Sequence, residues 1–354
     1  MMLSNEEKKQ YNRHLILEEI GERGQEKLKN AKVLVIGAGG LGCPVLQYLT
    51  AAGVGTIGVI DDDVVDQTNL HRQVLYTLND VGRPKVDVAS ERLSQLNPFV
   101  FFKTFNEKLD NDNALDLFSE FDIIIDGTDN FPTRYLVNDA CVLADKPLVF
   151  GSIFKFQGQV SVLNYKNGPT YRCLFPEPPA PNAVPNCSDI GVLGVLPGII
   201  GSLQANEAIK MITGIGEVLS GKLLYVDSLT LRQRLLEFQK NEAIEITELN
   251  DDYEFFCGID PMEIKEITAE ELKQNKNAYS ILDVRTHEEF YNFNIGGLHT
   301  PLDTLEGQVS GLSNEKPIVV CCQSGVRSKR AIEIILKQRE DLDLRNLKSG
   351  LASY

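Results

Sequence analysis

A chain of 354 residues is longer than one hydrophobic core usually serves, so two domains are expected. Its formal charge of −15 excludes a surface built for nucleic-acid phosphates or anionic lipid, which would repel it at long range. No apolar run approaches the roughly 20 residues of a membrane span and the opening MMLSNEEKKQYNRH lacks a signal-peptide core, so a cytoplasmic protein is expected.

From Ala31 to about Val149, strand-like runs (KVLVIG, TIGVID, FDIIID, PLVFG) alternate with helical stretches, the rhythm of a doubly wound, Rossmann-like α/β sheet. Arg83-Pro84-Lys85 opens one of those helices, with Val86, Ala89, Leu93 and Leu96 spaced to face the sheet. The stretch PEPPAPNAVP, residues 176–185, carries five prolines and reads as a surface loop. After it, Val195 to Ile212 is an apolar helix and Lys222 to Asp227 a strand, which carries the first domain to residue 240. Polar, acidic residues without a clear period make 241–262 the expected linker. A second, smaller α/β domain then spans 263–354, with ILDVR and PIVVCC as strands and Arg327 to Gln338 as a helix.

Gly37-Ala38-Gly39-Gly40-Leu41-Gly42 follows a strand and opens a helix, and Asp61 ends the next strand. Glycines let backbone approach phosphate, free amides and the helix dipole supply positive charge, and the acid accepts from ribose hydroxyls. This fingerprint serves NAD and ATP alike. Arg72 and Lys85 are able to hold a triphosphate, and Asp129, after FDIIID, is able to hold Mg²⁺; this set suits nucleotidyl transfer, and hydride transfer requires none of it.

The GAGGLG turn, TNLHRQ, RPK, TDN and GVLGVLPGIIGSLQANEAIK together resemble the MoeB/ThiF family, relatives of ubiquitin-activating enzymes, over about residues 5–240. The resemblance implies a homodimer that uses ATP and Mg²⁺ to adenylate the C-terminal Gly-Gly of a ubiquitin-like sulfur carrier of the MoaD or ThiS type. It implies that Gly37, Gly39, Gly40 and Gly42 form the phosphate turn, and that Asp61 meets the ribose. Asn69, Arg72 and Lys85 would face the triphosphate, Thr68 and Asn130 would also bind the nucleotide, Asp129 would position Mg²⁺, and Arg13 would reach the ATP of the other subunit.

The seven cysteines, odd in number and widely spread, do not read as a disulfide framework. Cys43 and Cys141 sit among apolar neighbours and read as core. Similar proteins often hold a structural zinc on two CxxC pairs, but here Thr170 and Glu254 stand where the partners of Cys173 and Cys257 would be, so no zinc site is expected. Cys187 follows the proline-rich loop, where similar enzymes carry a cysteine implicated in thioester or acyl-disulfide formation. Cys322 opens CQSGVRS between a strand and a helix, so backbone amides and Arg327 are expected to lower its pKa and stabilise a persulfide. With Asp283-Val284-Arg285 and His299-Thr300-Pro301-Leu302, this motif resembles a single rhodanese domain; Cys321 reads as core.

The two modules together suggest adenylation of the carrier followed by sulfur transfer from Cys322, loaded by a donor such as a cysteine desulfurase. A nicotinamide-dependent oxidoreductase fused to a sulfurtransferase, and a non-catalytic scaffold for ubiquitin-like proteins, are the competing readings.

Overall fold

The computed structural model describes residues 2–179, 191–257 and 264–354. It divides into two units, Met1–Ile259 and Asp260–Tyr354. Among the described residues no helix is long and apolar enough to cross a membrane.

The first unit is built on one eight-stranded sheet. Its strands are β1 (Lys32–Ile36), β2 (Thr56–Ile60), β3 (Phe101–Phe105), β4 (Ile123–Asp126), β5 (Leu148–Phe154), β6 (Gln157–Leu163), β7 (Lys222–Asp227) and β8 (Gln233–Glu237). They lie in the order β3-β2-β1-β4-β5-β6-β7-β8. The first five are parallel and the rest antiparallel. The central strands read as unbroken apolar runs because both faces are covered. Val33 and Val35 enter a core with the Gly42–Ala52, Lys85–Leu96 and Leu196–Thr213 helices, whereas Leu34 and Ile36 enter another with the Phe131–Leu143 helix. This is the doubly wound arrangement expected.

Two expectations need correction. Leu96 does not face the sheet: it ends its helix 50% exposed, and Asn97 turns inward instead, donating to Thr50 O at 2.7 Å. Nor is the whole of 241–262 a linker, because Leu249, Tyr253, Phe256 and Cys257 pack into the first unit's core. Four side chains within a polar, largely exposed stretch suffice to anchor it, and composition alone hid them.

The second unit carries β9 (Glu266–Ile267), β10 (Ser280–Asp283), β11 (Leu298–His299), β12 (Ile318–Cys321) and β13 (Leu344–Leu347). All pair in parallel, in the order β11-β10-β12-β13-β9. Along β12 the side chains alternate: Val319 and Cys321 join one core, Val320 and Cys322 the other. Cys321 is therefore core, as expected.

Candidate active sites

In the first unit the strand order reverses at β1, which pairs with β2 on one side and β4 on the other. The crevice beyond the carboxyl ends of such strands is where α/β sheets bind ligands. Gly37 leaves β1 at a φ of +89°, and a Cβ on Gly42 would lie 1.9 Å from the Gly37 carbonyl oxygen, so the Gly42–Ala52 helix starts directly against the turn only because both are glycine. The resulting cleft has a volume of about 390 Å³.

Most of the predicted set lines this cleft: Gly37, Gly39, Gly40, Asp61, Asn69, Arg72, Lys85, Asp129 and Asn130. Three members do not. Gly42 works beneath the turn, Thr68 turns away to bond Asp66, and Arg13 lies exposed on the short helix Asn12–Leu15. Lys85 is buried, donating to Asp63 Oδ2 at 2.6 Å, with Asp61 Oδ1 at 3.9 Å. Asp61 accepts from the Ala38 amide at 2.7 Å and the Asp63 amide at 2.9 Å, tying the glycine turn to the end of β2. Burial pushes the Asp61 carboxyl up, against the pull of Lys85 and the two amides. Arg72 donates to Asn69 Oδ1 at 2.6 Å, and Asn130 caps the Phe131–Leu143 helix through Thr133 N at 2.9 Å. Asp129 stands exposed at the cleft.

Among the lining residues that sequence reasoning missed are Asp63 and Gln73. Gln73 lines the cleft but is buried, and its Oε1, itself shut away from solvent, has no hydrogen-bond partner. Its position beside Arg72 in TNLHRQ was the available signal.

The second unit places Cys322 just past β12, its residue buried. Gly325 N donates to Sγ at 3.2 Å and Ser328 N at 3.4 Å, with Ser328 Oγ at 3.3 Å. Gly325 reaches that geometry at a φ of +92°, which glycine tolerates. Burial pushes the Cys322 thiol up, but the bonds from Ser328 and from the amides of Ser328, Ser324 and Gly325 outweigh it, so the thiol titrates below its ordinary value. The Ser328 hydroxyl has one proton, and Asn346 Oδ1 at 2.6 Å and Gly325 O at 3.1 Å also compete for it; the amides are the constant donors. The expected help from Arg327 is largely diverted: its guanidinium forms a two-pronged pair with Glu289, at 2.8 and 2.6 Å. Cys187 lies outside the described residues.

Residues 11–245 match the ThiF family. The chain belongs to that family. Residues 268–354 match the Rhodanese-like domain. The probable adenylyltransferase/sulfurtransferase MoeZ of Mycobacterium tuberculosis is 44% identical, covering 99% of this chain and 94% of that protein. The sulfur carrier protein adenylyltransferase of Thermus thermophilus is 51% identical over 73% of this chain and 100% of its own length. Among solved structures, Escherichia coli MccB with ATP superposes with a TM-score of 0.56 at 25% identity, covering 63% of this chain and 68% of that one. Matched along its length by relatives of this kind, the ThiF-family chain is an enzyme that joins an adenylyltransferase domain to a sulfurtransferase domain.

Around Cys173 and Cys257 this ThiF-family chain builds something other than a thiol cluster. Cys173 Sγ accepts from the amides of Thr170 at 3.4 Å and Asn241 at 3.3 Å, and Glu254 pairs with Lys108 at 2.9 Å. Cys257 is buried, which pushes its thiol up to about 11. Between these segments Arg172 grips Asp139 with Nε at 2.8 Å and Nη2 at 2.7 Å, and Tyr253 donates to the same carboxylate at 2.7 Å. The guanidinium also lies 4.8 Å from the Phe256 ring centre and 5.0 Å from that of Tyr135. The one cluster of three or more potential metal ligands among the described residues is Asp61, Asp62 and Asp63.

Proposed function

We propose that the enzyme uses ATP to adenylate the C-terminal glycine of a ubiquitin-like sulfur carrier ending in Gly-Gly, then passes it sulfur from a persulfide on Cys322. The observation that carries this reading is the presence, in one chain, of a cleft bearing Lys85, Arg72 and Asp129 and of a thiol held under converging amides.

In the first step a carboxylate oxygen of the carrier attacks the α-phosphorus of ATP, and the bond to the β-phosphate oxygen breaks as pyrophosphate leaves. Lys85 and Arg72 face the charge that builds on the phosphoryl oxygens. The amides of the glycine turn orient the nucleotide. The carboxylates of Asp129 and of the Asp61–Asp63 run are hard oxygen donors of the kind Mg²⁺ takes; they would hold the ion, which would neutralise further phosphate charge. A second cavity of about 500 Å³, lined by Phe131, Phe150 and Tyr225, shares Thr128 and Asp129 with the cleft and gives an extended peptide end an approach.

In the second step the terminal sulfur of the Cys322 persulfide attacks the acyl carbon, and AMP leaves with the electron pair of the C–O bond. A thiol then attacks the Cys322 side of the acyl disulfide, releasing the thiocarboxylate; Cys187 takes this role, and an external thiol reduces the disulfide left behind. The persulfide comes from a donor such as a cysteine desulfurase. Arg13, exposed and outside its own cleft, serves the partner's cleft in a homodimer.

The test supplies a Gly-Gly carrier, ATP, Mg²⁺ and glutathione persulfide, and follows radiolabelled pyrophosphate exchange and carrier mass. Cys322→Ala is expected to keep exchange and to lose the gain of about 16 Da at the carrier terminus. Thiocarboxylate formed by that variant at the parent's rate would refute the sulfur route.

A further inference from the structure

The rhodanese-like unit presents its sulfur site with little free positive charge. Cys322–Ser328 contains a single charged residue, Arg327, and Glu289 holds it in a two-pronged ion pair. The nearby Arg285 is likewise engaged, bonded to Asp283 through Nε and Nη2 at 2.6–3.1 Å and to Phe293 O at 2.6 Å. Glu289 belongs to the His287–Asn292 helix, where its Oε2 also accepts from Thr286 N at 3.0 Å as the closing member of a capping box. The carboxylate is thus fixed from two sides, and Arg327 on it. A donor whose recognition depends on negative charge finds no open guanidinium in this loop, whereas a donor that presents a neutral or singly charged persulfide needs none.

Resting on the reading that Cys322 is the sulfur acceptor, we propose that Glu289 sets the donor class of this site. By occupying Arg327 it discriminates against sulfur donors that carry a sulfonate dianion, such as thiosulfate, and leaves the site to persulfides. Both loading reactions balance. With thiosulfate, the Cys322 thiolate attacks the sulfane sulfur, the S–S bond to the sulfonate breaks, and sulfite departs with the pair. With a persulfide, the same attack expels a thiolate. They differ in what must be held: sulfite is a doubly charged leaving group beside a carboxylate, and like charges brought together are penalised. Glu289 acts here as a positioning residue through Arg327.

The full-length chain is incubated separately with thiosulfate and with glutathione persulfide, and formation of the Cys322 persulfide is measured by mass spectrometry against donor concentration. Glu289→Gln keeps the capping-box acceptor while releasing Arg327. Its KM for thiosulfate is expected to fall by about tenfold or more, with little change for glutathione persulfide. Glu289→Asp, which keeps the charge, should stay near the parent, and the gain should vanish in the Glu289→Gln/Arg327→Gln double variant. If Glu289→Gln slows both donors alike, or leaves the thiosulfate KM unchanged, Glu289 is structural only and the proposal is overturned. If the parent is loaded at Cys322 by neither donor, the underlying reading of Cys322 fails instead.

Discussion

Replacing Arg172 by methionine tests what holds the segment around Tyr253 onto the first unit. The substitution keeps the length of the stem but leaves the Asp139 carboxylate, with a side chain only 3% exposed, without its cation, held only by the neutral donors Tyr253 and Asn138. Breaking a buried pair from one side costs about 3–5 kcal/mol. Arg172 itself is 14% exposed, which admits some water, while the lost stacking on Phe256 and Tyr135 adds to the cost, so about 3 kcal/mol is the expected destabilisation. For a unit of this size that corresponds to a fall in Tm of about 6–12 °C. The chain has no tryptophan, so far-UV circular dichroism under urea and heat is the suitable readout. Adding Asp139→Asn removes the stranded charge and should recover part of the loss. A chelator should leave the parent's transition where it is. The reasoning is refuted if Arg172→Met unfolds within about 0.5 kcal/mol of the parent, the range of an ordinary surface change, or if chelation alone lowers the parent's Tm.

Three further outcomes follow from the two sites. Gly42→Ala places a methyl 1.9 Å from the Gly37 carbonyl oxygen, so the glycine turn must shift; pyrophosphate exchange should collapse while sulfur loading at Cys322 persists. Lys85→Met, with folding checked by circular dichroism, should lower exchange by about 10²-fold or more, and retention of parental exchange would remove Lys85 from the chemistry. The Cys322 thiol should be alkylated by iodoacetamide with a pH midpoint below that of an ordinary thiol, because its amide partners favour the thiolate; as pH falls through that lowered pKa the reactive form is lost. A midpoint at or above the ordinary value would contradict the hydrogen-bonded geometry.

What the sequence made legible were features written in consecutive residues. β1 and β4 announce themselves because strands covered on both faces are apolar throughout, and the glycine turn with Asp61 at the next strand end follows from what phosphate requires of backbone. Lys222–Asp227 falls where the strand was read. What escaped depends on partners distant in the chain. Arg327 looked like free charge because Glu289, 38 residues away, is joined to it only by the fold. Arg172 and Asp139 are separated by 33 residues, and nothing near either suggests the other. Gln73 stands in the TNLHRQ run, but only the fold places its side chain in the cleft wall, with Nε2 beside Gly39.

The alternation of side chains along β12 bears on how sulfur is stored. Cys321 and Cys322 are neighbours in the chain, yet they enter opposite cores, and burial pushes the Cys321 thiol far up so that it stays protonated. A vicinal pair on one face would discharge a persulfide internally, closing a disulfide and releasing hydrogen sulfide. Here the nearest thiol in sequence is walled off by the sheet itself, so cargo loaded onto Cys322 waits for an external acceptor without leaking to its neighbour.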